Sequence, residues 1–439
     1  MTKKYLLTIF GCQMNLADGQ RVKGILESSG YSETDDQDEA DLILFLTCCV
    51  REHAEERLFG RVASLKNLKE RKPDLIIGLG GCLVQEHRTK LFTEFPFVDI
   101  LFGPNDIEDI PGIISELPHS KKNTGNFKTT GNFLGEHPDG VVLHRSFSAF
   151  VNIIRGCTNN CTYCIVPKVR GPEVSRPTEE IISFVKGLVQ KGVTEITLLG
   201  QNVIAYGRDI GIREGFAHLV EKLNDIEDLK WIRFLTSHPR DFSKETIERL
   251  SHLEKVCEAF HLPVQAGSNR VLKAMNRGYT RENYLELVDT VRRFFPDSTL
   301  TTDVICGFPS ETEDEFDQTL ELIRQVRFDS AFMYFYSPRS GTPAENMTGN
   351  LPEDVRKERL TRLIDLQNRI SMEISASCKG KTFEVLVEGD SRQAKGQLIG
   401  KCRGGRSIDF DGPSDLIGSY VKVRVDRSRL WTLSGSVIS

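Results

Sequence analysis

The sequence lacks any long apolar run. No stretch approaches the ~18 consecutive apolar residues of a membrane-spanning helix. The first ten residues are too short and wrongly ended for a signal peptide, and we interpret them as a strand. Hydrophobic residues at 39% and charged residues at 27% describe an ordinary soluble globular protein. We therefore expect a cytoplasmic protein with no membrane partner.

The sequence also lacks a strong net charge: it contains 57 Lys and Arg and 62 Asp and Glu, which gives a formal net charge of −5. The charge is unevenly distributed, however. Residues 379–439 hold eleven Lys and Arg against seven Asp and Glu, a local +4, which leaves −9 on the remainder. A basic tail on an acidic body predicts an attached binding module.

The eleven cysteines of a chain without an export signal favour metal ligands and buried thiols over disulfides. Cys157, Cys161 and Cys164 form a C-x3-C-x2-C loop that contains no fourth cysteine or histidine. Three thiolates hold three corners of a cubane [4Fe–4S] cluster and leave one iron open for a substrate or cofactor. A zinc knuckle or a ferredoxin-like site is the alternative. Ferredoxins space their cysteines differently, and structural zinc usually requires a second Cys or His pair.

Three apolar runs near the N-terminus predict strands buried on both faces of a parallel sheet. Helical stretches separate them, so we predict a doubly wound α/β domain. Each run is followed by a cysteine at the edge where such sheets bind ligands. The runs are 4–11, 41–47 and 74–81, and the cysteines are Cys12, Cys48 and Cys82. They predict a second three-cysteine cluster, with buried structural thiols as the alternative. Cys49 would point to the opposite side and is the poorer ligand.

Residues 118–142 lack apolar periodicity and predict a linker. Beyond it, residues 143–376 alternate strands and helices, which predicts a partial (βα)6 barrel with its active site at the carboxyl ends of the strands. The predicted strands are 150–154, 195–199, 231–235, 259–263, 299–305 and 330–336. Four cysteines lack partners at metal spacing and are interpreted as buried thiols; these are Cys257, Cys306, Cys378 and Cys402.

Residues 377–439 predict a small β-barrel of OB-like size, with strands over 383–388, 394–402 and 420–426. Exposed basic loops on such barrels often hold nucleic-acid backbones. Lys401, Arg403 and Arg406 are the candidates for phosphate contacts, and solvated surface charge is the equally weighted alternative.

Several motifs are spread over nearly the whole chain. They are Gly11-Cys12-Gln13-Met14-Asn15, Thr47-Cys48, Gly81-Cys82-Leu83-Val84-Gln85, the loop 157–164, Arg170-Gly171-Pro172-Glu173-Val174-Ser175-Arg176-Pro177 and Tyr336-Ser337-Pro338-Arg339-Ser340-Gly341-Thr342-Pro343-Ala344. Taken together, they resemble the motifs of the radical S-adenosylmethionine (radical SAM) methylthiotransferases. The resemblance implies a methylthiotransferase N-terminal domain (1–117), a radical SAM domain (143–376) and an RNA-binding TRAM domain (377–439).

The resemblance also implies cofactors and an activity. The cysteines 157, 161 and 164 would hold a [4Fe–4S] cluster that binds S-adenosylmethionine (SAM), and those at 12, 48 and 82 a second [4Fe–4S] cluster. The reaction would add a methylthio group to C2 of N6-dimethylallyladenosine beside the anticodon of tRNA, using two SAM molecules. Threonylcarbamoyladenosine in tRNA or a ribosomal-protein aspartate is the alternative target. The predicted SAM contacts are Tyr163, Gly200, Gln201, Asn202, Ser237, Gln265 and Asp303. A flavodoxin- or ferredoxin-like electron donor and a monomeric state complete the expectation.

Overall fold

A computed structural model describes residues 2–47, 52–117, 123–130 and 140–438. It divides into three regions: an N-terminal sheet with helices, a central set of six parallel strands, and a C-terminal barrel. No helix within the described part of the chain is long and apolar enough to cross a membrane.

The N-terminal region is a parallel sheet in the order β2-β1-β3-β4-β5-β6. Its strands are β1 (Lys3–Ile9), β2 (Tyr31–Glu33), β3 (Leu42–Thr47), β4 (Ile76–Gly81), β5 (Ile100–Phe102) and β6 (Thr124–Asn126). Its helices are α1 (Gln13–Ser28), α2 (Glu52–Ala63), α3 (Lys66–Arg71), α4 (Cys82–His87), α5 (Lys90–Glu94) and α6 (Ile110–Glu116). Every residue of β3 is buried, as its unbroken apolar sequence predicts for a central strand.

The predicted doubly wound domain is confirmed, since the chain order reverses between β1 and β3. One boundary differs from the prediction. The segment 118–142 was expected to be a linker, but Thr124–Asn126 adds β6 to the edge of the sheet beside β5. A three-residue strand of Thr, Gly and Asn is too short and too polar to show the apolar periodicity that the sequence could reveal.

The central region contains six parallel strands in two sheets, β11-β10-β7 and β12-β13-β14, as the six predicted βα units require. The six strands are β7 (Ser148–Asn152), β10 (Glu195–Leu199), β11 (Trp231–Phe234), β12 (Ala259–His261), β13 (Thr299–Cys306) and β14 (Ser330–Phe335). Two further short strands, β8 (Ile154–Arg155) and β9 (Val174–Ser175), form a separate antiparallel pair. The helices are α7 (Val166–Arg170), α8 (Thr178–Gln190), α9 (Gly215–Asn224), α10 (Lys244–Ser251), α11 (Asn269–Ala274), α12 (Arg281–Phe294) and α13 (Glu313–Val326).

Helix α14 (Glu353–Ala376) leads into the C-terminal barrel. Five strands close it in the order β15-β16-β17-β19-β18, so the predicted small β-barrel is confirmed. They are β15 (Thr382–Asp390), β16 (Leu398–Cys402), β17 (Ser407–Phe410), β18 (Tyr420–Ser428) and β19 (Thr432–Ile438). Closure removes the exposed edges that a small open sheet would present.

The two outer regions cover opposite ends of the central strands. Met14 of α1 packs against Leu199, the last residue of β10. At the other end, Trp231 begins β11 and packs edge-on against Tyr420 of the C-terminal barrel, with ring centroids 4.8 Å apart. The carboxyl ends of the central strands therefore face the N-terminal region, and their amino ends face the barrel.

Candidate iron–sulfur and SAM site

The three-cysteine loop begins directly after β8. Gly156 has a φ of +72°, and a Cβ at this position would collide with the carbonyl oxygen of Pro172. The backbone N–H of Cys157 donates to the carbonyl of Gly171 at 3.0 Å. Only glycine satisfies both the left-handed conformation and the close approach, so the residue before the first cysteine is dictated by geometry.

The far side of the loop is held by the end of α11. Thr162 donates through Oγ1 to the carbonyl of Ala274 at 2.9 Å and through its backbone N–H to the carbonyl of Met275 at 3.1 Å. Asn276 Nδ2 donates to the carbonyl of Asn160 at 2.8 Å. These bonds fix the backbone between the first and third cysteines before any cofactor is added.

Cys161 is buried, and Cys157 and Cys164 are half-buried. Burial raises the pKa of Cys157 to about 12 and that of Cys164 to about 11. No three His, Cys, Asp or Glu side chains in the described ranges are grouped to hold a single metal ion. In a cubane cluster each thiolate would bind its own iron, and Cys157, Cys161 and Cys164 supply three thiolates.

Arg277 is a buried cation beside this loop that the sequence did not reveal. Its Nη1 lies 3.4 Å from Cys161 Sγ and 3.3 Å from the hydroxyl of Tyr163, and its Nη2 donates to the carbonyl of Pro263 at 2.7 Å. Burial, followed by the charge of Arg277, lowers the pKa of His238 to about 3, so this imidazole is neutral. No local motif marks Arg277; only the fold brings it to the cysteines.

The loop after β10 supports the cysteine loop from the side. Gln201 Oε1 accepts from the backbone N–H of Gly156 at 2.6 Å. Asn202 is buried, its Oδ1 accepts from the backbone N–H of His238 at 3.0 Å, and its Nδ2 donates to Asp241 at 2.7 Å. Gln201 thus contacts the start of the cysteine loop, whereas Asn202 holds the segment that contains His238 and Asp241.

The remaining predicted SAM residues follow or lie within other central strands. Gly200 directly follows β10, and Ser237 donates through Oγ to the carbonyl of His261. Gln265 has a φ of +73°, and its buried Oε1 has no hydrogen-bond partner among the described residues. Asp303 lies deeper, within β13, where its Oδ2 is 3.2 Å from His261 Nε2.

Two of the second set of cysteines begin helices at the same edge of the N-terminal sheet. Cys12 caps α1 after β1, and Cys82 is the first residue of α4 after β4. Gly81 has a φ of +102° and pairs with Thr47, the last described residue of β3. Cys48, the third predicted ligand, lies outside the described residues, as does Cys49.

Arg170 connects the two cysteine sets. It ends α7, the helix that starts two residues after Cys164, and its Nε donates to Cys82 Sγ at 3.2 Å. Its Nη2 donates to Asp18 at 2.9 Å and lies 3.5 Å from Asn15 Oδ1. A buried guanidinium at this distance stabilises a thiolate, and the carboxylate of Asp18 balances the charge.

Apolar contacts hold the same helix against the N-terminal region. Ile165 and Val169 are buried in one cluster with Cys82, Leu83 and Val84 of α4. The cysteine loop and the cysteine of α4 are therefore parts of one rigid contact between domains. Whether Cys12 and Cys82 act as ligands stays a prediction; the structure shows that Cys82 contacts the helix that follows the cysteine loop.

In the C-terminal barrel, two of the three predicted phosphate-binding residues make contacts between domains. Arg403 donates twice to Glu258, at 3.0 Å and 2.8 Å, and Arg406 pairs with Asp329. Both acids precede central strands. Lys401 is 45% exposed and lies 3.6 Å from a carboxylate of the neighbouring strand. Sequence reasoning detected the charge but not its use in docking the barrel.

Another basic surface lies on β18 and the turn that follows it. Lys422 and Arg424 alternate with buried residues, and the register shift between Val425 and Arg427 places the later cations on the exposed side. Arg427 and Arg429 are exposed, and Trp431 is 56% exposed at the tip. We call the five residues Lys422, Arg424, Arg427, Arg429 and Trp431 the β18 face.

The four cysteines without metal spacing are buried, as predicted. Cys257 packs between the central strands and the C-terminal barrel, and Cys378 and Cys402 belong to the barrel core. Cys306 ends β13 within the central core. Their burial is consistent with a packing role.

Comparison with known proteins agrees with this three-part division. Residues 4–103 match the family described as uncharacterized protein family UPF0004, residues 151–323 match the radical SAM superfamily, and residues 376–438 match the TRAM domain. The solved structure of TsrM from Kitasatospora setae, a radical S-adenosylmethionine methyltransferase, is similar in fold. Its TM-score is 0.58 at 13% identity, over 90% of this chain and 79% of that one.

Two curated relatives extend the likeness to the whole chain. Both are named tRNA-2-methylthio-N(6)-dimethylallyladenosine synthase. The protein of Thermoanaerobacter sp. strain X514 is 47% identical, over 99% of this chain and 92% of the relative. That of Moorella thermoacetica is 46% identical, over 99% and 98%.

The cysteine loop on a partial barrel defines a radical SAM enzyme, and the relatives make it a transferase. The chain belongs to the radical SAM methylthiotransferase family, among the relatives named tRNA-2-methylthio-N(6)-dimethylallyladenosine synthase.

Proposed function

We propose that this enzyme adds a methylthio group to C2 of N6-dimethylallyladenosine beside the anticodon of tRNA. Two [4Fe–4S] clusters and two SAM molecules per product serve the reaction, and an external flavodoxin- or ferredoxin-like protein donates electrons. The observation that carries the proposal is the contact of Arg170 with Cys82. It supports the proposal because Cys82, a member of the second cysteine set, lies one short helix away from the first set, and both clusters would have to reach the same base.

Several residues of this chain would hold these cofactors. Cys157, Cys161 and Cys164 would hold the cluster that binds SAM, and Cys12, Cys48 and Cys82 the second one. The buried, unpartnered Oε1 of Gln265 and Oδ1 of Asn152 lie after or at the end of central strands, where SAM would supply donors. Tyr163, Gly200, Gln201, Asn202 and Ser237 would surround SAM there.

The chemistry explains why such cofactors are needed. The C2–H bond of adenine is not acidic and C2 has no leaving group, so proton transfer by side chains gains little. The bound cluster and SAM supply one-electron chemistry that breaks this bond homolytically. The protein holds the base within van der Waals reach and excludes water. The domain contacts of α1 and α7 provide that shielding at the carboxyl ends of the strands.

We infer that tRNA contacts the β18 face in preference to the three residues first predicted, because Arg403 and Arg406 are used in docking the barrel. Arg427 and Arg429 are exposed and have no ion-pair partner within the described chain. Cations suit phosphates, and an exposed indole suits stacking on an unpaired base. Lys401 remains a candidate at the side of this surface.

Nucleoside analysis tests the substrate. Deletion of the gene should abolish 2-methylthio-N6-dimethylallyladenosine in total tRNA and leave its unthiolated precursor in place. Complementation with this chain should restore the product. Unchanged product, or loss of 2-methylthio-threonylcarbamoyladenosine instead, would contradict the proposal and favour the alternative target; methylthiolation of a ribosomal-protein aspartate is checked by peptide mass.

Iron content tests the division of labour between the cysteine sets. The reconstituted enzyme should hold about eight irons per chain. The triple variant Cys12→Ala, Cys48→Ala, Cys82→Ala should hold about four, should still cleave SAM and should form no methylthiolated product. Cys257→Ala, which removes a buried thiol elsewhere, is the matched control and should retain about eight irons and full product formation. Loss of SAM cleavage in the folded triple variant would show that the assignment of roles is wrong.

A further inference from the structure

The register of three central strands identifies which side chains face the interior of the partial barrel. His261 of β12 is level with Thr301 of β13, and Asp303 is level with Phe332 of β14. These residues share one face of the sheet. Their neighbours Phe260 and Thr302 are buried on the other face, so the first group lines the interior.

Half of this interior is covered by the N-terminal region. Met14 and Ala17 of α1 form a cluster with Leu199, and Phe150 and Leu235 pack against it. Cys12 packs against the same cluster. The N-terminal region therefore fills the side of the interior formed by β7, β10 and β11. Cys12, a predicted cluster ligand, lies at the edge of this side.

The side formed by β12, β13 and β14 is open. Phe332 is 48% exposed although it points inward, and the Asp303 side chain is 29% exposed. The His261 ring connects them: its Nδ1 lies 2.9 Å from Thr301 Oγ1, its Nε2 lies 3.2 Å from Asp303 Oδ2, and its centroid is 5.9 Å from that of Phe332. Within the described chain, Asp303 Oδ1 has no side-chain partner. The open side thus presents an exposed phenyl ring beside a carboxylate and an imidazole.

We propose that this open side, formed by His261, Asp303 and Phe332, receives the N6 substituent of the target adenine and selects a dimethylallyl group over an anionic one. The inference rests on the proposed function. The N6 substituent projects from a different edge of adenine than C2. When C2 faces the cysteines at the carboxyl ends of the strands, the substituent points deeper into the interior, towards Phe332.

The chemistry of the lining favours an apolar substituent. The phenyl ring offers apolar surface to the five-carbon dimethylallyl group. The carboxylate of Asp303 would repel the carboxylate of a threonylcarbamoyl group, which is a repulsive element against the wrong substrate. Arg233 of β11 is already paired with Glu195 and with two backbone carbonyls of the C-terminal barrel. Asp303 was grouped with the SAM contacts in the sequence analysis; its depth within β13 assigns it here to the substrate.

The experiment measures binding and turnover of the reconstituted full-length enzyme with three anticodon stem-loop RNAs. They carry adenosine, N6-dimethylallyladenosine or N6-threonylcarbamoyladenosine at the target position. Phe332→Ala should raise the Kd and KM of the dimethylallyl RNA about tenfold and leave the Kd of the adenosine RNA unchanged. Phe332→Leu, which keeps an apolar side chain, should recover most of this loss. Asp303→Asn should tighten binding of the threonylcarbamoyl RNA about fivefold.

Met372→Ala is the matched control. Met372 is 58% exposed on α14, and its truncation should change none of these constants. If Phe332→Ala weakened the binding of all three RNAs equally, the inference would be overturned. Loss of SAM cleavage in Asp303→Asn, with unchanged RNA discrimination, would also overturn it and return Asp303 to the SAM site. If the wild-type enzyme did not modify the dimethylallyl RNA at all, the proposed function itself would be wrong. This result can be distinguished from the two outcomes above, which concern only the variants.

Discussion

At the scale of single residues, the site depends on a few side chains whose surroundings leave little freedom. Gly156 stands where a left-handed backbone meets the neighbouring chain at Pro172. Arg170 is 6% exposed and bonded to a thiol and a carboxylate from another domain. The conformation of the cysteine loop therefore depends on the residues around it as well as on the cysteines.

Gly156→Ala should cost about 1–3 kcal/mol of stability, because both strain and a backbone collision oppose the methyl group. We expect the variant to hold about four irons per chain in place of about eight. Gly192→Ala is the control: its φ is +94°, but nothing lies within 4 Å of the added Cβ. It should lose only the conformational part, about 1 kcal/mol, and keep its iron. Iron analysis and melting temperature check both. Full iron in Gly156→Ala would show that the loop tolerates a side chain.

At the scale of secondary-structure elements, loops and short helices connect the domains. Helix α7 carries the chain from the first cysteine set to the contact with the second. The loop between β16 and β17 carries Arg403 and Arg406 to acids that precede β12 and β14. The C-terminal barrel is thus fixed at the amino ends of the central strands.

A double-mutant cycle tests this docking. Arg403→Gln and Glu258→Gln should each destabilise the protein, and the double variant should lose less than their sum, with a coupling energy of about 1–2 kcal/mol. Arg427→Gln, an exposed cation on the same barrel, should change stability by less than about 0.5 kcal/mol. Urea unfolding followed by near-UV circular dichroism provides the free energies. Strictly additive effects would mean that the pair contributes nothing to docking.

At the scale of the whole molecule, the two ends of the central strands have separate roles. The cysteine loop 157–164, Cys12 and Cys82 lie towards the carboxyl ends, and the C-terminal barrel lies at the amino ends. A six-residue strand spans about 20 Å. An RNA that reaches both the open interior and the β18 face must therefore extend along the side of the central strands.

Salt dependence measures that contact. The double variant Arg427→Gln, Arg429→Gln should weaken binding of tRNA of any sequence and reduce the slope of log K against log salt by about two. Met372→Ala should leave the slope unchanged. An unchanged slope in the double variant would place the phosphate contacts elsewhere, with Lys401 as the next residue to test.

Much of the architecture follows from the sequence because it depends on local pattern. Continuous apolar runs predicted β1, β3 and β4, and alternation with helices predicted the six central strands. The edge strands β2 and β6 and the short inner strand β5 were missed, since strands of three residues are too short to show a periodic signal. In the C-terminal barrel, β17 and β19 were missed for the related reason that their burial alternates only weakly.

The sequence by itself determined the cysteine sets, the three-part order of the chain and the kind of cofactors it would hold, because ligand identity and spacing are written along the chain. Only the tertiary structure decided how those parts are used. It placed Arg170 on Cys82, brought Arg277 beside Cys161 across more than a hundred residues of chain, and used Arg403 and Arg406 in docking. Such contacts join residues that are far apart in sequence. The sequence around a charged residue does not show which residue it will contact in the folded protein.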